Sequence, residues 1–203
     1  AYVRCDEPER VERAMRGASV LGAPALRVNL PAYDGSVDSR TLRDLSLGQY
    51  REVAAMARRF GVRALVETHH RSLLPSASAA AAFLAPLDPA DVGVIHDAGN
   101  MVFEGHEAYR LGLEALGPYL AHVHLKNARW VADGRRPDGS AAWRAEWAPL
   151  SEGIVDLAAL FAALRAVGYD GWVSFEDFST ERPLPERLRE NLLLARKAAT
   201  GAG

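Results

Sequence analysis

A chain of 203 residues, 49% hydrophobic and 25% charged, is long enough to bury one sizeable core and has the composition of an ordinary globular enzyme. Its formal charge of −2 offers no attraction for nucleic acid or an anionic membrane surface, and no apolar run approaches the roughly 20 residues of a membrane helix. No basic-then-apolar leader follows Ala1, and the lone Cys5 excludes an intramolecular disulfide and a zinc–thiolate site, so a reducing cytoplasm is the expected compartment.

Two kinds of segment alternate along the chain. Ala/Leu/Arg/Glu-rich stretches predict helices over about 6–22, 47–61, 76–86, 106–117, 155–167 and 184–199. Between them, short β-branched or apolar runs predict strands: ALRVNL from Ala25, ALVETH from Ala64, VGVIHD from Val92, LAHVHLK from Leu120 and WVSFED from Trp172. This alternation is the pattern of βαβ units around a parallel sheet. Gly22, Gly61 and Gly168 stand where helix C-caps are wanted, Ser76 and Asp156 where helices begin, and Pro183 and Pro185 at the start of the last helix.

Two connections are long, 31–46 and 127–153, and both follow strand C-termini, the end where α/β folds build their sites. The second holds Trp130, Trp143 and Trp147 beside Arg129, Arg135, Arg136 and Arg144. It reads either as a lid or as a surface loop with an aromatic cluster of its own.

The informative residues are polar groups closing apolar strands: Glu67, Asp97, His124 and Glu176. A carboxylate buried at the mouth of a core is costly unless it is paired or bound to metal, so four neighbouring cases suggest one convergent site. Strand alternation puts His122, His124 and Lys126 on one face opposite Val123 and Leu125, and Ser174 and Glu176 opposite Val173 and Phe175. Three carboxylates and one imidazole suit Mn²⁺, with Mg²⁺, Co²⁺ and Zn²⁺ compatible. His96 should face outward toward a helix, and His106 is given no role.

The segments VETHH, HDAGN, HVHLKN, LSEGIVD and GYDGWVSFED resemble the successive signatures of the sugar phosphate isomerase/epimerase family, which shares the xylose-isomerase-like TIM barrel. Ketose 3-epimerases, inosose dehydratases and the more distant endonuclease IV are related. The resemblance implies a (β/α)₈ barrel whose metal is held by Glu67, Asp97, His124 and Glu176. Two positions depart from the common pattern: Asn100, where many relatives carry His, and Asn127, where many carry Asp. A complete barrel takes about 250 residues. The chain is therefore expected to be a single barrel domain, 1–203, holding strands four to eight, with the N-terminal third absent.

The resemblance further implies an isomerase or epimerase of a sugar or sugar phosphate, with Glu67 and Glu176 moving a proton on and off one carbon through an enediolate. Arg27, Asn29, His69, Asn100, Lys126 and Arg129 are the expected substrate contacts, and His70 is weighed beside them. A dehydratase of a ketocyclitol or shikimate-type compound is the alternative, and a non-catalytic binding subunit the distant one. The expected partner is a small sugar-like molecule, with no nucleic acid and no membrane; a homo-oligomer is left open.

Overall fold

The computed structural model describes residues 3–201. Its framework is a six-stranded parallel sheet in the order β1-β2-β3-β4-β5-β8. The strands are β1 (Val3–Arg4), β2 (Ala25–Asn29), β3 (Arg63–Glu67), β4 (Val92–Asp97), β5 (Leu120–Leu125) and β8 (Val173–Phe175). The sheet has one strand more than the pattern predicts, because two residues of β1 are too few to show alternation. The helices are α1 (Pro8–Val20), α2 (Ser39–Phe60), α3 (Ala77–Leu84), α4 (Ala98–Phe103), α5 (Tyr109–Leu116), α6 (Leu157–Ala166) and α7 (Leu184–Thr200). Strands that alternate with helices and pair only in parallel form a TIM-barrel-like α/β fold. Among the described residues no helix is long and apolar enough to cross a membrane.

Apolar residues on the outer face of the sheet meet the helices. Val28, Ala64, Val66, Val92 and Val94 join Val11, Met15, Tyr50, Val53 and Phe83 in one cluster. Val123 and Leu125 join Leu113, Leu157, Leu160 and Leu164 in a second, against which Val173 and Phe175 pack. The opposite face is thereby left to Arg27, Asn29, Glu67, Asp97, His124 and Glu176, as the strand alternation predicts.

Three departures from the sequence reading have identifiable causes. Helix α2 begins at Ser39, well before 47, because the Asp38 side chain accepts from Arg40 N and Thr41 N, a cap set in a wholly polar stretch. The helix read over 106–117 is α5, and the short α4 before it escaped the reading because it starts directly on β4, where Asp97 caps it by accepting from Asn100 N at 2.8 Å. The connection 127–153 is an antiparallel hairpin of β6 (Asn127–Arg135) and β7 (Ala141–Ala148).

Its register pairs Ala128 with Trp147, Trp130 with Ala145 and Ala132 with Trp143, so all three tryptophans share one face. The other face carries Arg129 opposite Glu146 and Val131 opposite Arg144. The base is fixed by Asn127, whose amide nitrogen donates to Leu150 O (2.9 Å) and Val155 O (3.2 Å) while its oxygen accepts from Ala128 N and Val155 N. Gly153 is needed there, since a Cβ would lie 2.0 Å from Asn127 Oδ1.

Candidate metal centre

Register brings the four strand-end residues together. Asp97 on β4 pairs with His124 on β5, and the backbone of Glu176, just past β8, donates to Leu125 O at 3.0 Å. A bulge makes the β4–β5 pairing possible. Val94 pairs with Leu120 but Ile95 with His122, so Ala121 is the extra residue. Without that extra residue the parity of β5 would reverse and His124 would point into the helices. Gly93 makes room for the bulge, because a Cβ on it would stand 2.8 Å from the Ala121 Cβ.

His124 Nδ1 faces three carboxylates: Glu67 Oε1 at 2.9 Å, Asp97 Oδ2 at 3.5 Å and Glu176 Oε2 at 3.7 Å. One donor atom from each of the four lies within 4.8 Å of the others. Glu67 and Asp97 are buried, 3% and 0% exposed. Two cations flank the group. Arg27 Nη1 reaches Glu67 Oε2 at 2.8 Å and Glu176 Oε1 at 3.2 Å, while Lys126 Nζ lies 3.0 Å from Asp97 Oδ2 and ion-pairs with Glu176 Oε2.

The charges shift one another. Burial disfavours the charged His124 ring, but Asp97, Glu176 and Glu67 outweigh it and push His124 up to about 11. Burial would raise Glu176, yet His124 and Lys126 hold it well below the usual carboxylate range. Lys126 rises for the converse reason, its burial offset by Asp97 and Glu176.

The group fits a divalent cation on three grounds. Its donors are hard oxygens with one imidazole nitrogen. They converge from four different strand ends. Asp97 Oδ2, fully buried, accepts no aligned hydrogen bond despite its close cation neighbours, while its other oxygen caps α4.

The remaining candidate residues divide. Asn29, His69 and His70 line a cavity of about 310 Å³ that opens beside Glu67. His69 Nδ1 lies 2.6 Å from His70 O, and the two rings stack at 4.4 Å. Asn100 is wholly buried, donating to Thr68 O at 3.1 Å and lying 3.3 Å from Lys126 Nζ. Lys126 is 1% exposed beneath the rings of Trp147 and Phe178. Arg129 pairs with Glu146 (2.9 Å), Glu181 (3.1 Å) and Glu152 (3.5 Å), and none of its ion pairs is with the four-donor group.

His96 faces the helices as expected. Both its ring nitrogens lack partners among the described residues, and burial lowers it to about 4. Two arginines of the cavity wall escaped the sequence reading. Arg4 belongs to the strand too short to detect, and Arg71 carries no motif, although it holds a left-handed backbone (φ 54°).

The family model of the xylose isomerase-like TIM barrel matches residues 5–198. The chain belongs to that family. Within the xylose isomerase-like barrels, it is similar to the 3-keto-D-glucoside 4-epimerase of E. coli, with a TM-score of 0.70, 21% identity, and coverage of 94% of this chain and 70% of that one. It is also similar to a xylose isomerase-like TIM barrel protein from Mycobacterium smegmatis, solved in complex with magnesium, with a TM-score of 0.69, 23% identity, and coverage of 97% and 68%. At these identities both likenesses show the fold. The inosose dehydratase of Geobacillus thermodenitrificans (strain NG80-2) is 33% identical over 97 residues, which is 44% of this chain and 31% of that protein. This chain thus spans about a third of that curated relative.

Proposed function

We propose that the chain is a divalent-metal-dependent isomerase or epimerase acting on a sugar or sugar phosphate through an enediolate. In this reading β2, β3, β4, β5 and β8 are the fourth to eighth strands of a single barrel domain. The observation that carries it is the convergence of Glu67, Asp97, His124 and Glu176 within 4.8 Å. These four would hold the ion, with Mn²⁺ favoured and Mg²⁺, Co²⁺ and Zn²⁺ compatible; a neighbour of the same fold was solved with magnesium. When bound, a divalent ion supplies Lewis-acid polarisation of a carbonyl and stabilises the charge that develops on its oxygen.

The protein's own residues do the proton work. Glu67 and Glu176 end separate strands and are close enough to share one guanidinium, so they can flank a single substrate carbon. Glu176 is held by His124 and Lys126 in its proton-free form, the form able to take a substrate proton, at the cost of weakened basicity. Glu67, carrying a proton of its own, delivers it to the opposite face. Exchange with solvent then removes the proton from Glu176 and restores that of Glu67, and Asp97 and His124 serve as ligands. Arg27, Asn29 and His69 stand beside Glu67 where substrate hydroxyls would lie. Asn100 and Lys126 act from behind the carboxylates, and Arg129 acts through the hairpin.

A dehydratase reading uses the same proton removal followed by loss of a neighbouring hydroxyl, and the likeness to an inosose dehydratase favours it. Incubation with Mn²⁺ and ketoses or ketocyclitols in deuterated water separates the two. Deuterium incorporation with retention of hydroxyls supports the isomerase or epimerase, and loss of water supports the dehydratase. Glu176→Gln should lower kcat by about 10²–10⁴ while the protein stays folded. Full activity in that variant overturns the role of Glu176, and a wild-type protein that binds no divalent ion and turns over none of these substrates overturns the enzyme reading in favour of a binding subunit.

A further inference from the structure

We propose that Lys126 is a resident counter-cation of the four-donor group: a positioning residue that holds Asp97 and Glu176 in place and loosens the grip of the group on a divalent ion. The inference rests on the reading that the group takes such an ion.

Lys126 follows β5 on the face that carries His122 and His124, yet it is 1% exposed. Its ammonium lies 3.0 Å from Asp97 Oδ2, pairs with Glu176 Oε2 and sits 3.3 Å from Asn100 Oδ1. The rings of Trp147 and Phe178 close over it, with centroids 4.9 and 4.8 Å away. Asn100 is itself fixed by its bond to Thr68 O. The stem fits only because residue 99 is glycine, since a Cβ there would meet Lys126 Cβ and Cγ at 2.7 Å. An ammonium enclosed in this way has carboxylates, an amide oxygen and two ring faces to offset its lost hydration, and no open side toward a substrate.

Two opposing effects follow for an ion among the same oxygens. Lys126 orients two of the donors, and loss of such an outer partner typically costs 10–100-fold in metal affinity. Lys126 also places a unit positive charge against those donors in a water-poor setting, where its repulsion of a doubly charged ion is twice that of a unit pair at the same distance. At the effective dielectric of about 20 that suits buried sites, contact-range repulsion of this kind exceeds the orientation effect. The charge therefore decides the sign: the wild-type protein gives up affinity in exchange for a group that stays assembled.

The test is calorimetric titration of Mn²⁺ into wild type, Lys126→Met and Lys126→Gln, with the melting temperature of each metal-free protein. Both variants should bind Mn²⁺ at least about tenfold more tightly than wild type and melt lower when metal-free. A merely structural lysine would move affinity and stability downward together. Lys126→Gln keeps a hydrogen-bond donor for Asn100 while removing the charge, so it preserves the test should Lys126→Met not fold. Unchanged or weaker binding in the folded variants overturns the role of Lys126 alone. Absence of Mn²⁺ binding by wild type overturns the metal reading and this inference with it.

Discussion

Cys5 shows how far burial alone can set the chemistry of a side chain. It is 2% exposed in the core beneath β1, and its Sγ lies 3.4 Å from Gln49 Oε1. Burial first, and the neighbouring Asp6 charge second, push the thiol from 9.0 up to about 12. The folded state therefore keeps its proton where the unfolded chain loses it, and stability falls as pH rises from 9 to 12. The slope is about 1.4 kcal/mol per pH unit, roughly 4 kcal/mol over the window. Denaturant titrations should show this loss for wild type and a flatter profile for Cys5→Ala. Equal slopes would assign the alkaline loss to other groups. The same burial makes the native thiol slow to alkylate at pH 8, in keeping with an inert cysteine.

Lys126 and Arg129 show what sequence reading resolves at this scale and what it does not. Both are cations just beyond an inward-facing strand, and both look like substrate contacts. The chain, however, leaves β5 at Leu125 and begins β6 at Asn127, which turns Arg129 onto the charged face of the hairpin while Lys126 stays beneath Trp147. Nothing in the residue types marks that turn. The Asn127 amide fixes it through four bonds to backbone groups near and distant in sequence.

At the scale of elements, the strands were legible wherever one face is apolar and the other ends in a polar residue. That pattern directly reflects burial, so β2 to β5 and β8 could be read. The caps and the bulge depend on single residues whose partners are unknown until the chain folds. Asp38 and Asp97 are ordinary acids until the amide groups they accept from are in place. Gly93 likewise reads as a weak point in VGVIHD, although its missing Cβ admits Ala121 and so sets the direction of His124.

Gly93→Ala should accordingly destabilise the protein by about 1–3 kcal/mol through overpacking. It should also weaken Mn²⁺ binding, because the bulge moves the strand that carries His124. The pair Gly93→Ala with Ala121→Gly should recover part of both losses, since the nearer clash disappears while the Arg63 guanidinium at 2.9 Å can swing aside. Denaturation and calorimetric titration check the two effects. A Gly93→Ala protein with wild-type stability and affinity would mean that the bulge does not govern the site.

Across the whole molecule, the four donors come from β3, β4, β5 and the segment after β8, and Glu67 and Glu176 stand 109 positions apart in the sequence. An unfolded chain has no reason to gather them, so an ion held by this group binds the folded state and stabilises it by mass action. At 100 times the dissociation constant the gain is about 2.7 kcal/mol. For a chain of this size each kcal/mol moves the melting temperature by about 2–4 °C, so saturating Mn²⁺ should raise it by roughly 5–10 °C. The rise should grow with the logarithm of Mn²⁺ concentration, with no plateau at one equivalent. Asp97→Asn removes one charge of the four-donor group from a fully buried position and should abolish most of the rise. A Mn²⁺ response that survives Asp97→Asn at full size would place the ion elsewhere on the protein and leave the strand-end carboxylates to Lys126, Arg27 and His124 alone.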